Sequence, residues 1–185
     1  MIDPIVNRVA NSRLVTINLE DFYPDGERVL FDIKDWLQEG VVLKEKDFRE
    51  SVKNHDWSQY KDAFVALTCS SDAIIPSWAY LLITTKLAPH TKRVVVGDLK
   101  EIETTLFQEI ISNLDVSVYK DKLLLIKGCS DKKIPETAYV QLIEKLIPVA
   151  STIMYGEACS NVPLYKAKKR KSYNRIETIV IKIVK

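Results

Sequence analysis

The sequence predicts an α/β protein of three layers built on a mainly parallel sheet. Three observations carry that expectation. Short apolar runs, "AFVALTC", "RVVVGD", "KLLLIKGC" and "STIMYGEAC", recur through residues 62–159. Stretches of helical period lie between them, and strands alternating with helices build parallel sheets through crossover connections. The runs are apolar throughout, as strands covered on both faces are. Residues 62–159 therefore read as βαβαβαβ. Right-handed crossovers and the common doubly wound topology favour the strand order 2-1-3-4.

The elements follow in chain order. "DPIVNRVANS" reads as a short helix, "LVTINLEDF" as a strand, "YPDGER" as a turn and "VLFDI" as a second strand. "KDWLQEG" reads as a helix stopped by Gly40, and "EKDFRESVKNHDWSQY" as a helix with Phe48 and Val52 on one side. Residues 1–61 are expected to form a small α+β arm packed on the core. The core itself, residues 62–165, is Rossmann-like in pattern. Its helices are "IPSWAYLLITTKLAP", "LKEIETTLFQEIISNL", with Leu99, Ile102, Leu106, Ile110 and Ile111 on one stripe, and "IPETAYVQLIEKLIPVA". Residues 166–185 are a basic tail whose end, "IETIVIKIVK", alternates like a strand.

Composition narrows the function classes. The chain has 185 residues, 46% of them hydrophobic, which fits one domain with an attachment. No apolar run is long enough to span a bilayer, and "MIDPIVNRVANSRL" has no apolar region of signal-peptide type. A cytoplasmic protein with reduced thiols is expected, since three cysteines cannot all pair within one chain. The net charge of +2 divides into +7 on residues 166–185 and −5 on the remainder. "KAKKRK" reads as a solvated extension. Nucleic acid is not an expected partner, because no basic, aromatic-rich face accompanies the tail.

Every cysteine sits in a repeated phrase. "TCSSDAIIPSWAY" begins at residue 68, "GCSDKKIPETAY" at 128 and "ACSNVPLY" at 158. Asp72 and Pro76 are four apart, as are Asp131 and Pro135, and Tyr80 and Tyr139 each follow four later. Serine and aspartate cap helix starts and proline suits the first turn, which accounts for much of the wording. It leaves the cysteines unexplained. With the order 2-1-3-4, Cys69, Cys129 and Cys159 end adjacent strands at the edge where open α/β sheets bind ligands. The leading expectation is a metal site of these three thiolates, holding zinc or an iron–sulfur cluster. Ser70, Asp72, Ser130, Asp131, Ser160 and Asn161 would complete the pocket.

Two readings compete with it. One is a metal-free module, its pocket lined by Ser70, Ser130 and Ser160, that binds a small anion or a protein partner, with the cysteines as packing. The other is thiol chemistry with His55 or His90 as base. Asp98 and Glu157 end strands at the same edge and read as solvated carboxylates, and Trp57 and Trp78 read as core. Whether the protein is an enzyme stays open at this point.

The wording of "LEDFYPDGERVLFDIKDWL", "LKEKDFRESVKNHDWSQYKD", "TCSSDAIIPSWAY", "IKGCSDKKIPETAYV" and "TIMYGEACSNVPLYK" resembles an uncharacterised bacterial family, domain-of-unknown-function family 2480. The resemblance covers residues 3 to about 166 and implies no reaction.

Overall fold

The computed structural model describes residues 14–128 and 131–168. The expected opening helix at "DPIVNRVANS" and the closing strand at "IETIVIKIVK" lie outside them. The described residues form seven strands: β1 (Leu14–Ile17), β2 (Arg28–Asp32), β3 (Phe64–Thr68), β4 (Arg93–Val96), β5 (Leu123–Lys127), β6 (Thr152–Glu157) and β7 (Ser160–Lys166). Four α-helices accompany them: α1 (Glu45–Asn54), α2 (Ser77–Leu87), α3 (Leu99–Asn113) and α4 (Glu136–Leu146). The mixed α/β class and the mainly parallel pairing agree with the sequence reading.

The sheet does not. In place of one sheet of order 2-1-3-4 there are two, β2-β3-β4 and β1-β5-β6-β7. The reason lies in the two strands assigned to an arm. β2 pairs in parallel with β3, and β1 pairs in parallel with β5, so each is an edge of a sheet rather than part of a cover. β7 was not anticipated as a strand, and it pairs antiparallel with β6. Pro163 lies within it, and a proline that cannot donate to a ladder is tolerated at an edge. The expected helix at "KDWLQEG" is a 3₁₀ turn, Ile33–Trp36, followed by a bridge from Gln38 to Val42.

The two sheets are built alike. β3 and β5 begin 59 residues apart, at Phe64 and Leu123, and pair with β4 and β6 in one register, Phe64 opposite Arg93 and Leu123 opposite Thr152. α2 and α4 begin and end with the same 59-residue separation. So do the left-handed Asp62 and Asp121 that precede β3 and β5. Phe48 and Val52 of α1 correspond to Phe107 and Ile111 of α3, and all four are buried. The fold is therefore an internal duplication, with the first half inserted between β1 and α3 of the second.

α3 joins the halves. Phe107 and Ile111 pack with Leu142 and Leu146 of α4 on Leu124, Ile126 and Ile153 of the second sheet. One turn earlier, Ile102 and Leu106 pack on Phe64 and Ala66 of the first. The opposite face of the first sheet, through Val65 and Leu67, is covered by α1 and α2. Layers of helix and sheet thus alternate, and α3 serves both sheets because apolar residues occur on two of its faces.

Trp57 is core, as expected, and Trp78 packs against that core. His55 contacts the rings of Phe31, Trp36, Trp57 and Tyr60, and its Nε2 lies 2.9 Å from the Tyr60 hydroxyl. Burial pushes the His55 pKa below its usual 6.5, against the pull of Asp56. The folded state therefore favours the neutral ring, and the unfolded state takes up the proton first as pH falls. Stability is expected to decline as pH drops from about 7 toward 5. A His55→Gln variant should show a flatter decline in denaturant titrations at several pH values. Equal slopes in both proteins would refute the assignment.

Candidate functional site

The strand ends place the sequence-predicted residues as follows. Cys69 follows β3 and is half-buried against the first core, with its Sγ 3.2 Å from the Ser71 hydroxyl. The Ser70 N–H donates to Asp32 at 3.0 Å. Burial works to raise the Asp32 pKa, but the hydrogen bonds from Ser70 and Lys34 outweigh it and hold the carboxyl below its usual range. Asp72 and Asp131 are exposed. Cys159 is exposed in the turn between β6 and β7, with Ser160 and Asn161 beginning β7. Cys129 and Ser130 lie outside the described residues.

These positions correct the argument for a shared thiol site. Its premise was adjacency of the strands that end in Cys69, Cys129 and Cys159. β3 belongs to one sheet and β5 and β6 to the other. Among the described residues, no group of three His, Cys, Asp or Glu is arranged to hold a metal. The histidines offer little to the thiol reading. His55 is enclosed by aromatic rings, and the His90 carbonyl accepts from the Asp62 N–H, at the end of β3 opposite Cys69. Asp98 caps α3, accepting from the N–H groups of Lys100 at 2.7 Å and Glu101 at 3.1 Å. Glu157 has one carboxylate oxygen buried without a hydrogen-bond partner among the described residues.

A different site emerges where the halves meet. A cleft of about 790 Å³ opens between the first two turns of α3, the loop from β5 to α4, and the turn before β2. Lys100, Lys132 and Lys133 line it, with Thr104, Thr137 and Glu136. Leu99, Ile134, Pro135 and the Tyr23 ring supply apolar surface. The first turn of α4 also opens onto it. That helix begins after Pro135 with no side-chain cap; the Ala138 N–H donates to the Pro135 carbonyl, the N–H groups before it present partial positive charge, and Glu136 stands in the same turn.

The wall of the cleft is a locked polar cluster. Glu103 is 8% exposed. Its Oε1 accepts from the Tyr23 hydroxyl at 2.6 Å and from Arg28 Nε at 2.8 Å. Arg28 also donates to the carbonyls of Pro24 at 2.7 Å and Gly26 at 2.6 Å. Its guanidinium lies 4.3 Å from the centre of the Tyr23 ring and 4.9 Å from that of Phe64. Gly26 is required here. Its φ is +145°, and a Cβ would stand 2.7 Å from the Phe64 ring. Burial, followed by the hydrogen bond to Glu103 and the charge of that carboxylate, pushes the Tyr23 pKa up to about 12, against Arg28. Tyr23 is therefore a fixed donor, unsuited to act as a base near neutral pH.

Asp131 and Lys132 are also held. The N–H groups of Asp131 and Lys132 both donate to the Glu20 carboxylate, the latter at 2.8 Å. A carboxylate thus accepts loop N–H groups in each half, Asp32 from Ser70 and Glu20 from Asp131 and Lys132. Lys132 Nζ then lies 4.8 Å from the centre of the Tyr23 ring.

The duplication shows what is particular to this cleft. Ala73 and Ile74 of the first half correspond to Lys132 and Lys133, and Trp78 corresponds to Thr137. Trp78 packs edge-on against Phe48, their centroids 5.6 Å apart, with Arg49 over its face. Thr137 is much smaller and lines the cleft, the Tyr23 ring stands 6.1 Å from Phe107, and lysines replace the apolar loop. The cysteine phrases drew attention to this loop without showing the partners that complete it. Tyr23, Arg28, Lys100 and Glu103 come from other segments and have no local signature. A residue-by-residue comparison of the two halves would have picked out Lys132, Lys133 and Thr137.

The fold and the cleft define a class: a duplicated α/β protein with a basic, partly apolar cleft at the junction of its halves. The chain belongs to the family described as protein of unknown function DUF2480, whose model matches residues 3–167. Searches of curated proteins and of solved structures return no match. No helix among the described residues is long and apolar enough to cross a membrane.

Proposed function

We propose that the protein is a binding module whose cleft between α3 and the β5–α4 loop takes a small anionic ligand without a metal. The observation that supports this most is the replacement of an apolar, ring-filled loop in the first half by a lysine-bearing, open one in the second. Lys100, Lys132, Lys133 and the start of α4 bring positive charge to one mouth, and a helix start suits an anion. Arg28 and Glu103 neutralise each other, and Lys100, Lys132 and Lys133 then outnumber Glu136, the remaining acid of the lining. The anion-binding expectation is kept, and the pocket moves from the serines to the lysines.

Titration with inorganic phosphate, followed by backbone amide shifts, tests it. Saturable shifts are expected at Lys100 and along residues 131–137. They should disappear in the Lys132→Ala/Lys133→Ala double variant and in Thr137→Trp. Thr137→Trp borrows the residue that the first half already accommodates, so a native-like circular dichroism spectrum should accompany the loss. Shifts spread evenly over surface lysines, or persisting in both variants, would overturn the proposal.

A further inference from the structure

We infer that Glu20, although it carries a negative charge and is no part of the cleft lining, is a positioning residue for the anion: it holds the lysine-bearing loop in the shape that binds. The inference rests on the cleft being an anion site and adds what sets its affinity.

The internal duplication carries it. β1 and β2 sit in one register on β5 and β3, Leu14 opposite Leu123 and Arg28 opposite Phe64, so residues 14–23 correspond to residues 28–37. Each strand runs into a 3₁₀ turn, Leu19–Phe22 or Ile33–Trp36, capped by Asn18 or Asp32. In the first half the cap itself is the carboxylate. Asp32 accepts from the Lys34 and Ser70 N–H groups, each at 3.0 Å. In the second half Asn18 keeps only the local bond, accepting from the Glu20 N–H at 3.2 Å. The carboxylate has moved to Glu20, the counterpart of Lys34. Its targets have moved with it. Ser70 corresponds to Cys129, whereas Glu20 accepts from the N–H groups of Asp131 and Lys132. The first half fastens the start of its loop. The second fastens the stretch from which the lysines project.

Lys132 is then held at two points. The Tyr23 N–H closes the turn on the Glu20 carbonyl at 3.0 Å. Residues three apart in a 3₁₀ turn stand on one side of it, so Glu20 and Tyr23 face the loop together. Glu20 takes the Lys132 backbone at 2.8 Å, and the centre of the Tyr23 ring lies 4.8 Å from Lys132 Nζ. Tyr23 is fixed in turn by its bond to Glu103. Leu37, its counterpart in the first half, is buried in the first core instead. A loop ordered before the ligand arrives spares the ligand that ordering cost.

Both loop N–H groups bond the same oxygen, Glu20 Oε1, so a glutamine amide oxygen can accept the same pair. Glu20→Gln and Glu20→Ala therefore remove the same charge, and only alanine removes the acceptor. Inorganic phosphate titrations of the full-length wild-type protein and both variants, with amide exchange at Asp131 and Lys132 measured before phosphate is added, test the role. Glu20→Ala is expected to bind about ten-fold more weakly, the size of ordering one released residue. Glu20→Gln should bind at least as tightly as wild type, and exchange should quicken in the alanine variant alone. Both variants binding more tightly than wild type would show that Glu20 acts through its charge, which overturns the inference and leaves the anion site standing. Equal affinity in all three proteins, or unaltered exchange in Glu20→Ala, would do the same. Weaker binding by Glu20→Gln refutes the role even where the alanine variant fails to fold. Absence of saturable binding by the wild-type protein would remove the anion site and the inference with it.

Discussion

Glu103→Ala is expected to lower the unfolding free energy by about 3–5 kcal/mol, because it leaves the Arg28 charge buried without its counter-ion. The geometry gives Arg28 little room for another solution. Its side chain is 15% exposed, it is stacked between the rings of Tyr23 and Phe64, and two carbonyls hold its outer nitrogen. Tyr23 loses its acceptor in the same variant. Arg28→Ala should cost a similar amount by stranding Glu103. Exchanging both for apolar residues, Arg28→Met with Glu103→Leu, should recover much of the loss, since a well-packed apolar pair often replaces a buried ion pair at little cost. Urea titrations of the four proteins would measure the coupling. A loss below about 1 kcal/mol in Glu103→Ala, the value of an exposed pair, would show that water screens the cluster.

Phe107→Ala is expected to cost about 3–5 kcal/mol, the usual range for a buried phenylalanine truncated in a packed core. Phe107 is 0% exposed and packs on the second sheet, next in sequence to Leu106, which packs on the first. Its counterpart Phe48 is also fully buried, so Phe48→Ala should cost about as much by the same mechanism. The informative measurement is the shape of the transition. α3 covers both sheets, so either variant should shift a single cooperative unfolding curve. Two separated transitions, with Phe48→Ala moving one and Phe107→Ala the other, would show that the halves unfold independently.

How far the sequence could be read varied with the range of the interactions. The strands of residues 62–159 and the helices between them were legible, because hydrophobic period and helix-boundary residues are local signals. Phe48 and Val52 were recognised as one helix side for that reason. The helix expected at "KDWLQEG" was misread. Asp32 accepts the Lys34 N–H and closes a 3₁₀ turn instead, a local competition that period alone does not reveal. β7 was missed because Pro163 interrupts its pattern and it is recruited by β6 as an edge.

The candidate site was less accessible. The repeated phrase marks the loop containing Asp131 and Lys132, but its most distinctive residues are the cysteines, and Cys69 and Cys159 do not line the cleft. Adjacency of strands was assumed from a common topology, and the positions of β1 and β2 changed it. Both strands are short, and their contribution depends on partners 36 or more residues away: Arg28 pairs with Phe64, and Leu14 with Leu123. Short strands carry too little pattern to declare such partners. The same distance hides the Arg28–Glu103 pair.

The amino-acid sequence by itself determined the α/β class, the order of most elements, their buried faces and the family of the chain. Each of these follows from side-chain period, capping and turn chemistry within a few residues, or from wording that runs along the chain. The tertiary structure decided the division into two sheets, the sharing of α3 and the position of the cleft. Those depend on which long-range pairings bury the most apolar surface while satisfying the buried polar groups. In this protein such pairings separate β3 from β5 and bring Tyr23, Arg28 and Glu103 together beside the lysines of the second half.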